Sequence, residues 1–101
     1  MARLIDARLT VIGSQRLLER LDHWNWSQRL QAKYVEVWEH SKTRRVWLFQ
    51  TFSPSPQDRL RSLSSRWPGL VFLLEYEDQP GRRKGLAKAV QGKVDHCEFN
   101  F

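Results

Sequence analysis

Four stretches of the chain carry residue types that could do chemistry. The first is acidic. Glu75, Glu77 and Asp78 cluster at the end of an apolar run, and Glu75 and Glu77 would share one face of a strand. Paired carboxylates work as general acid and base only when they converge and one is desolvated enough to keep its proton. The end of an exposed strand offers neither, so a solvated acidic end is the stronger reading. The second is Asp95-His96-Cys97-Glu98, which holds three kinds of metal ligand. On a strand His96 and Cys97 point to opposite faces and cannot share an ion, nor can they pair as nucleophile and base. His23, His40 and His96 are scattered, and there is no C-x-x-C, so neither a metal nor a cofactor is expected. The third is Pro80-Gly-Arg-Arg-Lys-Gly85, which sets Arg82, Arg83 and Lys84 between two glycines. It is no Walker loop, and a solvated hairpin is its ordinary reading. It is also the best phosphate-contacting segment if a nucleic acid binds.

The fourth stretch, Arg44 to Phe52, sets two arginines beside alternating aromatic residues. RNA-recognition motifs carry a similar basic and aromatic alternation on their third strand, and Arg45, Trp47, Phe49 and Phe52 fit it. Val46 and Leu48 are larger than the glycine or alanine of that motif. The first strand, "LIDARL", supplies no second aromatic. The physics of base stacking holds regardless, at about 1–3 kcal/mol per base, with Arg44 and Arg45 placed for phosphates.

Composition narrows the field. The chain has 101 residues, enough for one domain, with a net charge of +6 and five tryptophans. Its pI near 10.1 favours polyanionic partners, or simply a basic soluble domain. Cys97 is the only cysteine, so no disulfide can form within the chain, which suits a reducing cytoplasm. The first residues alternate and lack the pattern of a secretory leader. No stretch approaches the roughly 20 apolar residues of a membrane span, so a cytoplasmic location without membrane contact is expected.

Periodicity predicts the elements that must position these residues. Ile5, Ala7, Leu9 and Val11 alternate with Asp6, Arg8 and Thr10, which is a half-buried strand. Ser14 is placed to cap a helix over about residues 15–24, with Leu17, Leu18, Leu21 and Trp24 at helical spacing. Residues 25–33 read as a loop. "KYVEVWEH" and "RRVWLFQTF" flank a short polar connection and predict a hairpin that pairs His40 with Arg45 and Trp38 with Trp47. In that register Tyr34, Trp38, Trp47 and Phe49 share an open face with Glu36, His40, Arg45 and Thr51. Val35, Val37, Val46, Leu48 and Phe52 then face the helices. Ser55 as cap, Pro56 at the first position and Asp58 in the first turn predict a second helix bearing Leu60, Leu63 and Trp67. A strand with Leu70, Phe72, Leu74 and Tyr76 on one side follows, then the basic turn and two short strands separated by Gln91-Gly92. The order β-α-β-β-α-β plus two strands predicts an α+β, ferredoxin-like split βαβ fold with two helices on one face of an antiparallel sheet.

Several of these residues also resemble the YubB ferredoxin-like family of small plasmid- and phage-borne proteins. The likeness runs through Asn25 and Trp26, then Phe49 and Thr51, Ser53, Pro54 and Pro56, and on to Trp67, Pro68, Leu70, Tyr76 and Glu77. It spans most of residues 24–78. Ser27 stands where that family usually has glycine, and the second tryptophan that often follows is missing. The resemblance implies a bacterial or mobile-element origin and a ferredoxin-like fold, and it carries over no catalytic residue.

The sequence thus reads as a small non-enzymatic binding module. Tyr34, Trp38, Trp47 and Phe49 form too much apolar surface to stay uncovered, so protein association, including a homodimer, is the first expectation. Binding of single-stranded RNA or DNA by the same face, with Arg44, Arg45, Arg82, Arg83 and Lys84 on phosphates, is the alternative.

Overall fold

The computed structural model describes residues 4–52 and 56–101. Strands β1 (Leu4–Ile12), β2 (Lys33–His40), β3 (Arg44–Phe52), β4 (Val71–Asp78), β5 (Arg83–Val90) and β6 (Lys93–Asn100) form one antiparallel sheet in the order β2-β3-β1-β4-β5-β6. Helices α1 (Gln15–Asp22), α2 (Trp26–Arg29) and α3 (Pro56–Arg66) complete the described elements of this small α+β fold.

The alternation of β1 decides which face of the sheet is inside. Ile5, Ala7, Leu9 and Val11 are buried, and across the two neighbouring strands they meet Phe49 and Trp47 on β3 and Tyr76, Leu74 and Phe72 on β4. Leu18 and Leu21 of α1, Trp26 and Leu30 around α2, and Leu60 and Leu63 of α3 close over this face in one apolar cluster. The Ser14 hydroxyl accepts from the Leu17 N–H at 3.3 Å and caps α1 as its sequence predicts. The expected cap at Ser55 lies outside the described residues.

Three expectations are corrected here. The first helix ends at Asp22 rather than near residue 24. Residues 26–29, expected as loop, form α2. Its Trp26 is buried against Trp47, with ring centroids 4.3 Å apart, and edge-on to Phe49 at 5.8 Å. The hairpin pairs His40 with Arg45 as expected, but Val37, not Trp38, stands opposite Trp47. Strand β2 holds one extra residue between Lys33 and Glu36 and another between Val37 and Glu39. Such bulges reverse the alternation of side chains.

The two C-terminal strands do not fold over the sheet. They extend it beyond β4, and the β5–β6 turn at Gln91 (φ 53°) and Gly92 (φ 80°) has the two positive φ angles of a tight hairpin. The buried Ser64 hydroxyl accepts from the Gly92 N–H at 2.9 Å and donates to the Arg61 carbonyl at 3.0 Å, which pins this turn to α3.

Candidate interaction surface

Trp47 and Phe49, expected on an open aromatic plate, are core residues at 5% and 4% exposure. The physical reason is long-range register. Strand β3 is apolar on both faces, and its pairing with β1 sets Trp47 beside Leu9 and Phe49 beside the small Ala7, on the helix side. Val46 and Leu48, expected in the helix-facing core, lie on the opposite face. There Val46 is covered by its neighbours and Leu48 is half-buried.

The basic candidates divide in the same way. Arg45, expected to contact phosphate, is 1% exposed. Its Nε and Nη2 donate to the Asp22 carboxylate at 3.1–3.2 Å, and Nη1 donates to the Ser41 carbonyl. It ties the end of α1 to the hairpin turn and is closed to any ligand. Arg44 is exposed and bonds Glu39 through Nε and, at 2.9 Å, Nη2. That hydrogen bond, with the guanidinium charge, holds the Glu39 carboxyl below its ordinary value. Arg83 bonds the buried Asp78 at 3.1 Å and approaches Glu98 at 3.9 Å. Arg82 and Lys84 are exposed, with Arg82 at φ 54° in the turn before β5.

The carboxylates do not converge. Glu75 is paired with Arg8 across β1 and β4, Glu77 accepts from Gln79 at 2.8 Å, and Asp78 faces the other side. Glu75 and Arg8 flank a shallow groove of about 430 Å³ over Leu48, Leu86 and Phe99. On β6 His96 stands beside Ala87 and Cys97 beside Leu86, on opposite faces.

One cluster escaped the sequence reading. The buried Tyr76 hydroxyl lies 2.5 Å from both Glu98 Oε2 and His96 Nε2. Its single proton can go to one of them, and with Glu98 accepting, His96 must donate. Burial, then the hydrogen bond and charge of Glu98, push the Tyr76 hydroxyl well above its ordinary value. Gly85 makes room for the ring, since a Cβ there would sit 2.1 Å from Tyr76 Cζ. The residues lie on three strands, β4, β5 and β6, and only the spacing of Tyr76, Gly85 and Glu98 in the register links them.

The edge strand β2 is open to a partner. Tyr34 (77%), Trp38 (60%), Val37 (59%) and Val35 (41%) are all exposed. Tyr34 and Trp38 fall in the two bulges, and Tyr34 is held at φ 56°, a left-handed conformation that a bulky residue adopts at a cost. The bulges interrupt the free row of N–H and C=O groups, so this edge is shaped for side-chain contact rather than for adding a strand. No family model matches the chain, and neither a curated protein nor a solved structure matches it. None of the described helices is long and apolar enough to cross a membrane.

Proposed function

We propose that the chain is a non-enzymatic association module whose β2 edge binds a second copy of itself. The observation that carries this is the exposure of Tyr34, Val35, Val37 and Trp38 on one strand. Four large apolar side chains exposed on one edge strand, with Lys33, Glu36 and Glu39 interspersed along it, have the composition of an interface centre and its rim. An isologous dimer needs a surface that is complementary to itself. A two-fold axis across β2 sets Lys33 of one copy toward Glu39 of the other, while the apolar residues meet their own kind.

The strand order supports a ferredoxin-like frame, β2-β3-β1-β4, to which the β5–β6 hairpin is added outside β4. We read the YubB resemblance as pointing the same way, with an origin in a bacterial mobile element and a reducing cytoplasm as the place of action. Catalysis is not part of this reading, because Glu75 and Glu77 are engaged with Arg8 and Gln79 rather than held apart and desolvated.

Sedimentation velocity over the micromolar range tests the proposal. The unaltered chain should dimerise, and Trp38→Ser or Tyr34→Ser should weaken the dimer at least about tenfold, as loss of a central aromatic anchor does. A chain that stays monomeric throughout, or variants that associate like the parent, would overturn it.

A further inference from the structure

The net charge of +6 is not spread evenly. On the sheet's open face Arg8, Lys33, Arg44, Lys84, Lys88 and Lys93 are matched one for one by Asp6, Glu36, Glu39, Glu75, Glu77 and Asp95. The helical layer carries an excess of its own, and every cation on its helices is an arginine: Arg16 and Arg20 on α1, Arg29 on α2, and Arg59, Arg61 and Arg66 on α3, against Glu19, Asp22 and Asp58. The layer's carboxylates are largely occupied. Asp22 holds Arg45, Asp58 pairs with Arg61, and Glu19 accepts from Gln15.

Two of these arginines converge. Arg66 brings its guanidinium carbon 5.0 Å from the centroid of the Trp24 ring, and Arg29 comes within 5.3 Å of the same centroid. Trp24 is itself set edge-on to Trp67, with centroids 5.7 Å apart. A cleft of about 310 Å³ opens here, lined by Trp24, Arg29, Ser62, Leu63, Ser65 and Arg66. No carboxylate lines it, and among the described residues no acid pairs with either arginine. The C-terminal dipole of α3 accounts for a cation at Arg66 but not for a second one arriving from α2. A ring attracts a cation only weakly at an exposed site, whereas two guanidiniums beside one ring also repel each other. The cleft therefore presents two forked cations, two hydroxyls and an aromatic plane, with an unmet demand for negative charge. Phosphate oxygens meet that demand, two at a time on each guanidinium.

We propose that this cleft is a phosphate-binding site for single-stranded nucleic acid, with Arg29 and Arg66 on the backbone and Trp24 as the stacking plane for a neighbouring base. The further exposed arginines of the same layer, Arg16 and Arg20, extend the field beyond one phosphate, which favours a strand over a lone nucleotide. This site is separate from the β2 edge and does not depend on association there.

Fluorescence anisotropy of a labelled mixed-sequence oligonucleotide, RNA and DNA in turn, tests the proposal across a salt series. The Arg29→Gln, Arg66→Gln double variant should bind more weakly, and the slope of log affinity against log salt should fall by about 1.4, the share of two phosphate contacts on a single strand. Arg29→Lys with Arg66→Lys should keep most of the slope, and Arg8→Gln on the open face should change nothing. On the unaltered chain the Trp24 indole N–H resonance should shift on titration, while those of Trp26 and Trp47 stay in place. No binding by the unaltered chain, an unchanged slope in the double variant, or a still Trp24 resonance overturns the site. ATP or inorganic phosphate binding as tightly as the strand overturns the assignment to nucleic acid.

Discussion

Arg45 illustrates how little a residue type says before its neighbours are known. In sequence it stands beside Arg44 and looks like a phosphate contact. In the fold it is buried, and its charge is met by Asp22 and by the Ser41 carbonyl. Removing one partner of such a pair strands the other charge in a low-dielectric place, so Asp22→Ala should destabilise the protein by on the order of 3 kcal/mol, tempered by the partial exposure of Asp22. Urea unfolding measures this, and a loss under about 0.5 kcal/mol would mean that water reaches Arg45 freely. Tyr76 gives a prediction with a pH sign. Its hydroxyl is raised above the ordinary value of 10.0, so the unfolded chain releases that proton first. The contribution to stability is therefore full below pH 10.0 and is lost as pH rises from there toward the folded value. Tyr76→Phe should cost about 1 kcal/mol near neutral pH. The gap in melting temperature between parent and variant should then narrow above about pH 10, because Phe does not titrate. A gap that holds constant to about pH 11 would contradict the assignment.

At the scale of elements, the bulged strand β2 is the informative one. Its two extra residues turn a regular hairpin into one whose aromatic residues leave the ladder. Tyr34 at φ 56° gains no packing within the chain, because it is 77% exposed. Glycine adopts that conformation without the Cβ penalty of about 1–2 kcal/mol. Tyr34→Gly should thus raise the thermal stability of the monomer, by roughly 1 kcal/mol after the entropy of glycine is offset, and weaken self-association in the same sample. A less stable variant would show that the Tyr34 ring packs within its own chain. Helix α2 makes the complementary point. It is only four residues long and has no side-chain cap at Asn25, and its place is set by Trp26 seated on Trp47. Propensity and capping give such a segment no support of its own, so a reading of the sequence passes it over as loop. Trp26→Ala should cost about 3–5 kcal/mol by differential scanning calorimetry or denaturant unfolding, the loss expected for a large aromatic residue in a core.

For the whole molecule, charge separates two surfaces. The sheet's open face is balanced, and the helical layer carries an excess of arginine. Association through apolar side chains of β2 should change little between low and moderate salt, whereas nucleic-acid binding by the helical layer should fall steeply. Measuring both in one salt series distinguishes them, and a dimer that dissolves with salt would move its cause from apolar contact to ion pairs.

Most of the elements were legible in the sequence because they rest on local physics. The alternation of β1 and β4, the Ser14 cap and the turn at Gln91-Gly92 act within a few residues and need no distant partner. Strand β3 has no such contrast. Val46 and Leu48 on one side and Trp47 and Phe49 on the other are equally fit for a core, and only pairing with β1, some forty residues earlier for Ala7 and Phe49, chose between them. The bulges of β2 then released Tyr34 and Trp38 from the face they were expected to share with that pair. Trp24, Arg29 and Arg66 come from three separate stretches, and no spacing announces their meeting. The sequence by itself determined the strands, their caps and turns, because those are settled by neighbours in the chain. Which aromatic residues are core and which are surface, and where the cations gather, was decided only by tertiary structure, because long-range register and packing choose between faces that are locally equivalent.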